Sequence, residues 1–126
     1  MRLMRNAGNW ALMGYGSWLV EEKGGGTFVG EIGFMTLIRD IVPSLEGYPE
    51  IGWVVAPRAH GKGYATEAVR AALAWSDANI AEPRTTCIIS PENAPSLGVA
   101  AKCGFTEFAR TSFRGEPTVM LERLRA

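Results

Sequence analysis

The chain has 126 residues, 47% of them hydrophobic, which suits one domain built around one core and excludes a disordered segment. Its 13 basic and 13 acidic side chains cancel, so the basic footprint of a duplex-binding protein is missing and no nucleic-acid partner is expected. Two cysteines, Cys87 and Cys103, are too few for a disulfide framework, which points to a reducing, cytoplasmic setting, and no apolar run reaches the roughly 18 residues of a membrane helix.

The opening run MRLMRNAGNWALMGYG is basic but lacks the apolar centre and cleavage site of a signal peptide. GSWLVEE (16–22) reads as a short strand, KGGG (23–26) as a turn and TFVGEIGFMTL (27–37) as a second strand, the two forming a hairpin. Residues 39–49 read as a loop. EIGWVV (50–55) reads as a buried central strand that stops before Pro57, with Ile51, Trp53 and Val55 on one face and Glu50, Gly52 and Val54 on the other.

A glycine-rich, cationic turn follows: PRAHGKGYATEAV (57–69). From Tyr64 to about Ala78 the spacing becomes helical, with Ala65, Ala68, Val69, Ala72 and Leu73 on one face. Glu67 suits the positive end of that helix. Residues 82–90 contain another strand. A second helix follows, with Asn93 as N-cap, Pro95 in the first turn and Gly104 as the stop. Two final strands, FTEFART and PTVMLERL, are joined by a turn at Arg114 and Gly115. The strand–helix–strand unit in mid-chain implies a parallel crossover and the hairpins antiparallel pairing, so the fold class is α/β (α+β): a mixed, mostly antiparallel sheet flanked by helices.

Three uses compete for the turn: a phosphate cradle, a metal site, or a plain connection. Lys62 is followed by Gly63 rather than Ser or Thr, so the turn is not a Walker loop. Thr66 stands where a dinucleotide fingerprint needs its third glycine. His60 is the one histidine, with no cysteine at ligand spacing, so no metal site is expected. Backbone N–H groups of Gly61 and Gly63, the free N–H groups of the new helix, and the charges of Arg58, His60 and Lys62 suit an anion.

Arg58-Ala59-His60-Gly61-Lys62-Gly63 fits the [QR]-x-x-G-x-[GA] pattern of the GNAT superfamily of N-acetyltransferases, and it follows a strand and opens a helix as that motif does. GKGYATEAV resembles the version in the ribosomal-protein N-terminal acetyltransferase-like branch, and NAPSLGVAAKCGF (93–105) resembles that branch's N-x-x-S and K-x-G-F signature. The resemblance runs from about Gly16 to the end.

The resemblance implies that an amine attacks the thioester of acetyl-coenzyme A directly. Arg58, His60, Gly61, Lys62, Gly63, Tyr64, Ala65 and Thr66 would then hold the cofactor's pyrophosphate, and Val54 and Val55 would pair with its pantetheine arm. Asn93 would touch the same arm, or serve as a helix cap, or both. Ser96 would be the partner of the leaving thiolate. Removing the amine's proton at pH 7 costs about 4.6 kcal/mol for a lysine and about 1–1.4 kcal/mol for an α-amine. Glu50, in PEIGW, is the candidate base.

The acceptor is expected to be a peptide N-terminus or a small-molecule amine, with no membrane partner, in a bacterial protein that could be a homodimer. The resemblance also implies a first strand and helices that wall the acceptor site. The chain is expected to lack them, with residues 1–15 as the remnant of the helical part. A second reading is therefore a truncated acetyl-CoA-binding module with little turnover; a P-loop-like nucleotide binder is a third. Trp10, Tyr15 and Trp18 are read as core rather than acceptor pocket, and both cysteines as core rather than nucleophiles.

Overall fold

The structure, a computed structural model, describes residues 2–5, 16–22, 26–35 and 41–125. Among the described residues, seven strands form one sheet: β1 (Arg2–Arg5), β2 (Ser17–Glu21), β3 (Phe28–Met35), β4 (Glu50–Val55), β5 (Arg84–Ile89), β6 (Thr106–Phe113) and β7 (Glu116–Leu124). Two helices, α1 (Tyr64–Asn79) and α2 (Ala94–Lys102), lie in the β4–β5 crossover and the β5–β6 connection. The spatial order is β1-β2-β3-β4-β5-β7-β6, and every neighbouring pair is antiparallel except β4–β5. This is the mixed, mostly antiparallel α/β sheet expected from the alternating patterns.

One expectation is corrected at the start of the chain. Residues 2–5, read as part of a helical remnant, form an edge strand in register with β2 from Arg2↔Glu21 to Arg5↔Trp18. β2 would otherwise present a row of unpaired N–H and C=O groups, and the basic segment ahead of it satisfies them. Residues 6–15, with Trp10 and Tyr15, and most of the 23–26 turn lie outside the described residues.

The core lies mainly between the sheet and the two helices. Ala68, Val69, Ala72 and Leu73 of α1 are buried against Val29, Ile32 and Phe34 of β3 and Ile51 of β4. Full burial of side chains such as Val69 and Leu73 contributes about 1.5–3 kcal/mol each, and the alanines between them let the helix approach the sheet. Trp18 is core as expected, 5% exposed, and meets Trp75 edge-on at 5.3 Å and Phe34 at 6.1 Å. On the other face, Ile41 and Leu45 of the 41–49 loop cover Met120, with Ile88, Phe108 and Phe113 around them. Arg84 anchors this side. Its guanidinium stacks on Tyr48 and Phe108 and pairs with Glu122 at 2.7 Å.

The parallel pair is the weak point of the sheet, and it positions the site. β4 and β5 are in register only at Glu50↔Thr86, where the Thr86 N–H also donates to the Pro49 carbonyl at 3.0 Å. Beyond that contact the two strands part, and a gap opens between them towards the starts of both helices.

Candidate active site

The turn after β4 is built to expose backbone. Pro57–Ala59 makes one 3-10 turn, and Gly61 and Gly63 then adopt left-handed φ values of +76° and +77°. A side chain would be strained at either position, although open space surrounds both. Gly63 is the N-cap of α1 and supplies no side-chain cap. The first bond of the helix runs from the Glu67 N–H to the Gly63 carbonyl at 3.1 Å. The N–H groups of Tyr64, Ala65 and Thr66 therefore have no partner among the described residues, at the positive end of a 16-residue helix. Such an end is a ready anion site.

Two contacts fix this turn. His60 Nε2 donates to the Val55 carbonyl at 2.7 Å, tying the turn back to the end of β4. The Tyr64 hydroxyl donates to Glu22 Oε1 at 3.0 Å, and this bond, with burial and the nearby carboxylate charges, raises the phenol's pKa.

α2 begins differently. Asn93 Oδ1 accepts from the Ser96 N–H at 3.2 Å, and the Leu97 N–H donates to the Asn93 carbonyl at 3.1 Å. At the other end, the Phe105 N–H returns to the Ala100 carbonyl and the Gly104 N–H to the Ala101 carbonyl, the two bonds that close a helix at the expected glycine. α2 is tied to α1 by Arg70, which donates to the Lys102 carbonyl at 3.4 Å, and by the Cys103 thiol over the Thr66 carbonyl at 3.9 Å.

These pieces enclose a cleft of about 670 Å³. Of the residues singled out from the sequence, Val54, Val55, His60, Gly61, Gly63, Tyr64, Ala65, Thr66, Asn93 and Ser96 all line it. Val54 is 72% exposed there, and the β4 backbone beside it is unpaired on the β5 side. A second cavity of about 190 Å³ fills the β4–β5 gap and shares Trp53, Asn93 and Ser96 with the cleft. Ser96 thus stands where the two spaces meet, its N–H held by Asn93 and its hydroxyl without a partner among the described residues.

Lys62 is exposed and does not line the cleft, and the Arg58 side chain lies outside the described residues. Glu50 is 7% exposed at the apex where β4 meets β5, and it lines neither cavity. Ile51 packs on the helix side, so alternation puts Glu50 on the opposite face, which it shares with Ile88. Cys87 lines the gap with its thiol pushed up to about 12, by burial first and by the charge of Glu50 second. It is therefore a protonated core thiol, not a nucleophile. No group of three or more metal-ligating side chains occurs among the described residues.

Reasoning from the sequence missed six contributors: Trp53, Ala59, Pro95, Val99 and Lys102 in the cleft wall, and Glu22 behind Tyr64. Helical spacing carried a signal for two of them, since Ser96, Val99 and Lys102 recur every third residue on one face of α2. Glu22 carried none, because it lies 42 residues from Tyr64 in sequence.

The model of the acetyltransferase (GNAT) domain matches residues 2–106. The chain belongs to the GNAT acetyltransferase family. Among curated relatives, the uncharacterized Bacillus subtilis protein YkkB is 34% identical over 116 residues, covering 87% of this chain and 63% of its own length. The uncharacterized N-acetyltransferase YnaD of the same organism is 42% identical over 55 residues, covering 44% of this chain and 32% of its own length. The chain thus spans less than two thirds of these relatives. A solved structure assigned to the GnaT acetyltransferase family of Bordetella pertussis superposes with a TM-score of 0.84 at 33% identity, over 92% of this chain and 70% of that one.

Proposed function

We propose that this GNAT domain binds acetyl-coenzyme A in the 670 Å³ cleft and transfers the acetyl group to a primary amine by direct attack. One observation carries the reading. The unpaired edge of β4, the uncapped start of α1 and the Ser96 hydroxyl line a single continuous space. A coenzyme with an extended amide arm and a pyrophosphate matches those three features in order.

In this reading the pantetheine arm lies along Val54 and Val55 and the pyrophosphate takes the N–H groups of Gly61 to Thr66. The pyrophosphate site draws on backbone dipoles, and Lys102 rather than Lys62 is the lysine that lines the cleft. The amine nitrogen bonds to the acetyl carbon, the carbon–sulfur bond breaks, and the thiolate takes up a proton. Ser96, at the junction of cleft and gap, donates to that sulfur. Glu50, buried at the β4–β5 apex and outside these cavities, takes the amine's proton through an intervening water. The acceptor is a protein N-terminus or a small-molecule amine.

Calorimetric titration with coenzyme A, together with thiol release from acetyl-CoA over a panel of amines, tests the reading. Glu50→Gln should lower turnover by about 100-fold while leaving coenzyme A affinity unchanged. Coenzyme A bound with no amine turned over would reduce the chain to a cofactor-binding module. No binding at all would sink the proposal.

A further inference from the structure

A third cavity, of about 380 Å³, lies where the end of β5 meets the β6–β7 hairpin. It shares Ile88, Ile89 and Ser90 with the gap cavity, which in turn shares Asn93 and Ser96 with the cofactor cleft. The three spaces thus adjoin in sequence, from the proposed cofactor site, past Ser96, to the hairpin. An acceptor must reach the thioester from the end that the cofactor leaves open, and the hairpin cavity is that end.

The hairpin itself is unusual. Phe113 pairs with Glu116 across a two-residue turn, Arg114-Gly115, in which both residues have positive φ, +52° and +81°. This turn favours Asn or Asp followed by Gly, because a short polar side chain tolerates the left-handed conformation. Arginine has no such relief, and Arg114 is the one non-glycine residue with positive φ among the described residues. Local strain of this kind concentrates at functional sites. The Arg114 guanidinium lies 5.1 Å from the centroid of the Phe113 ring, and both residues line the cavity. Glu116, two residues on, lines it as well, and no ion pair joins it to Arg114. One small space therefore presents a guanidinium stacked on Phe113 and a carboxylate not paired with it.

We infer that this cavity receives the acceptor and that Arg114 and Glu116 select an amine that also carries a carboxylate, an amino-acid-type substrate. The inference rests on the acetyl-transfer reading above and narrows it. The planar fork of Arg114 matches a carboxylate bidentately. Glu116 complements the ammonium form in which such an amine arrives. A polyamine would leave Arg114 unmatched.

Matched acceptors test this: an amino acid, its carboxamide and a diamine of similar length, each followed by thiol release from acetyl-CoA. The acid should exceed the carboxamide and the diamine by at least about 10-fold in kcat/KM. Arg114→Gln should abolish that preference through a raised KM for the acid alone, with the carboxamide's KM and coenzyme A affinity unchanged. Arg114→Gly, which relieves the turn, should lose the preference in a protein at least as heat-stable as the parent, separating recognition from folding. The affinities of the N-acetylated acid and the N-acetylated carboxamide for the coenzyme A-loaded chain give a readout that needs no turnover, and the acid should bind more tightly. Equal acceptance or binding of acid and carboxamide, or an equal loss for both in Arg114→Gln, would overturn the inference while leaving acetyl transfer in place. Failure to bind coenzyme A would remove both.

Discussion

The two helices that wall the cleft start in opposite ways. α1 opens on Gly63, which has no side chain, and leaves the N–H groups of Tyr64, Ala65 and Thr66 without partners among the described residues. α2 opens on Asn93, whose side chain takes up the Ser96 N–H. A helix start capped by glycine costs only about a few tenths of a kcal/mol relative to one with a side-chain cap, and that cost falls on the helix next to the glycine turn. The capped start holds its backbone internally and brings the Ser96 hydroxyl to the cleft. On the proposed reading the difference divides the labour: α1 would offer backbone dipoles to an anion, and α2 one positioned side chain to the reacting centre.

The sharpest way to break this division is Gly63→Val. A β-branched residue with φ near +77° costs about 1–2 kcal/mol, and its side chain fills the space in front of the free N–H groups. Acetyl-CoA affinity should fall by about 100-fold, and the melting temperature should drop with it. Unchanged calorimetric affinity would mean that α1 is not the anion site.

Ser96→Ala attacks the other helix and should show the reverse pattern. We expect kcat to fall by about 10- to 100-fold, with coenzyme A affinity within about twofold. A loss confined to affinity would move Ser96 from the chemistry to the cofactor.

The gap beneath both helix starts makes a prediction of its own through Cys87. Its folded pKa is about 12 against an ordinary 9.0, so the protonated form is favoured by folding. That stability is complete below pH 9 and declines above it, as the unfolded chain ionises and the folded one does not, until pH 12. At pH 10 this thiol alone removes about 1.4 kcal/mol. Burial raises Cys103 in the same direction. Urea midpoints at pH 8 and pH 10 should therefore differ less in Cys87→Ala than in the parent. Parallel slopes would show that the thiol ionises with equal ease in both states.

The smallest expected effect sharpens the comparison most directly. Asn93→Ala should cost about 1 kcal/mol of stability and Asn93→Asp close to none, because either Asn or Asp can accept the Ser96 N–H. If alanine proves neutral in chemical denaturation, the cap does not hold α2 and the contrast with α1 fails.

Much of this was legible in the chain itself. Period-two and period-3.6 spacing placed β2 to β7 and both helices within a residue or two, because each element buries one face against the same core. The Arg114-Gly115 turn and the Gly104 stop followed from glycine's backbone freedom. Four residues, Arg2–Arg5, were too short a run to show any period, and their strand exists only because β2 has an edge to pair with. In the site, the turn from His60 to Thr66 and the pair Asn93 and Ser96 were readable as two ordered motifs. Glu50 was readable as a residue at the head of a strand, but its burial at the β4–β5 apex was not.

The sequence by itself thus determined the order of elements, the family motifs and the glycine turn, all of which depend on neighbours within a few positions. Tertiary structure decided what those pieces enclose. The parting of β4 from β5, the joining of two helix starts across one cleft, the Tyr64–Glu22 bond and the run of cavities to Arg114 all depend on contacts between distant residues. Local spacing carries no record of such contacts, since they form only when the sheet and helices pack.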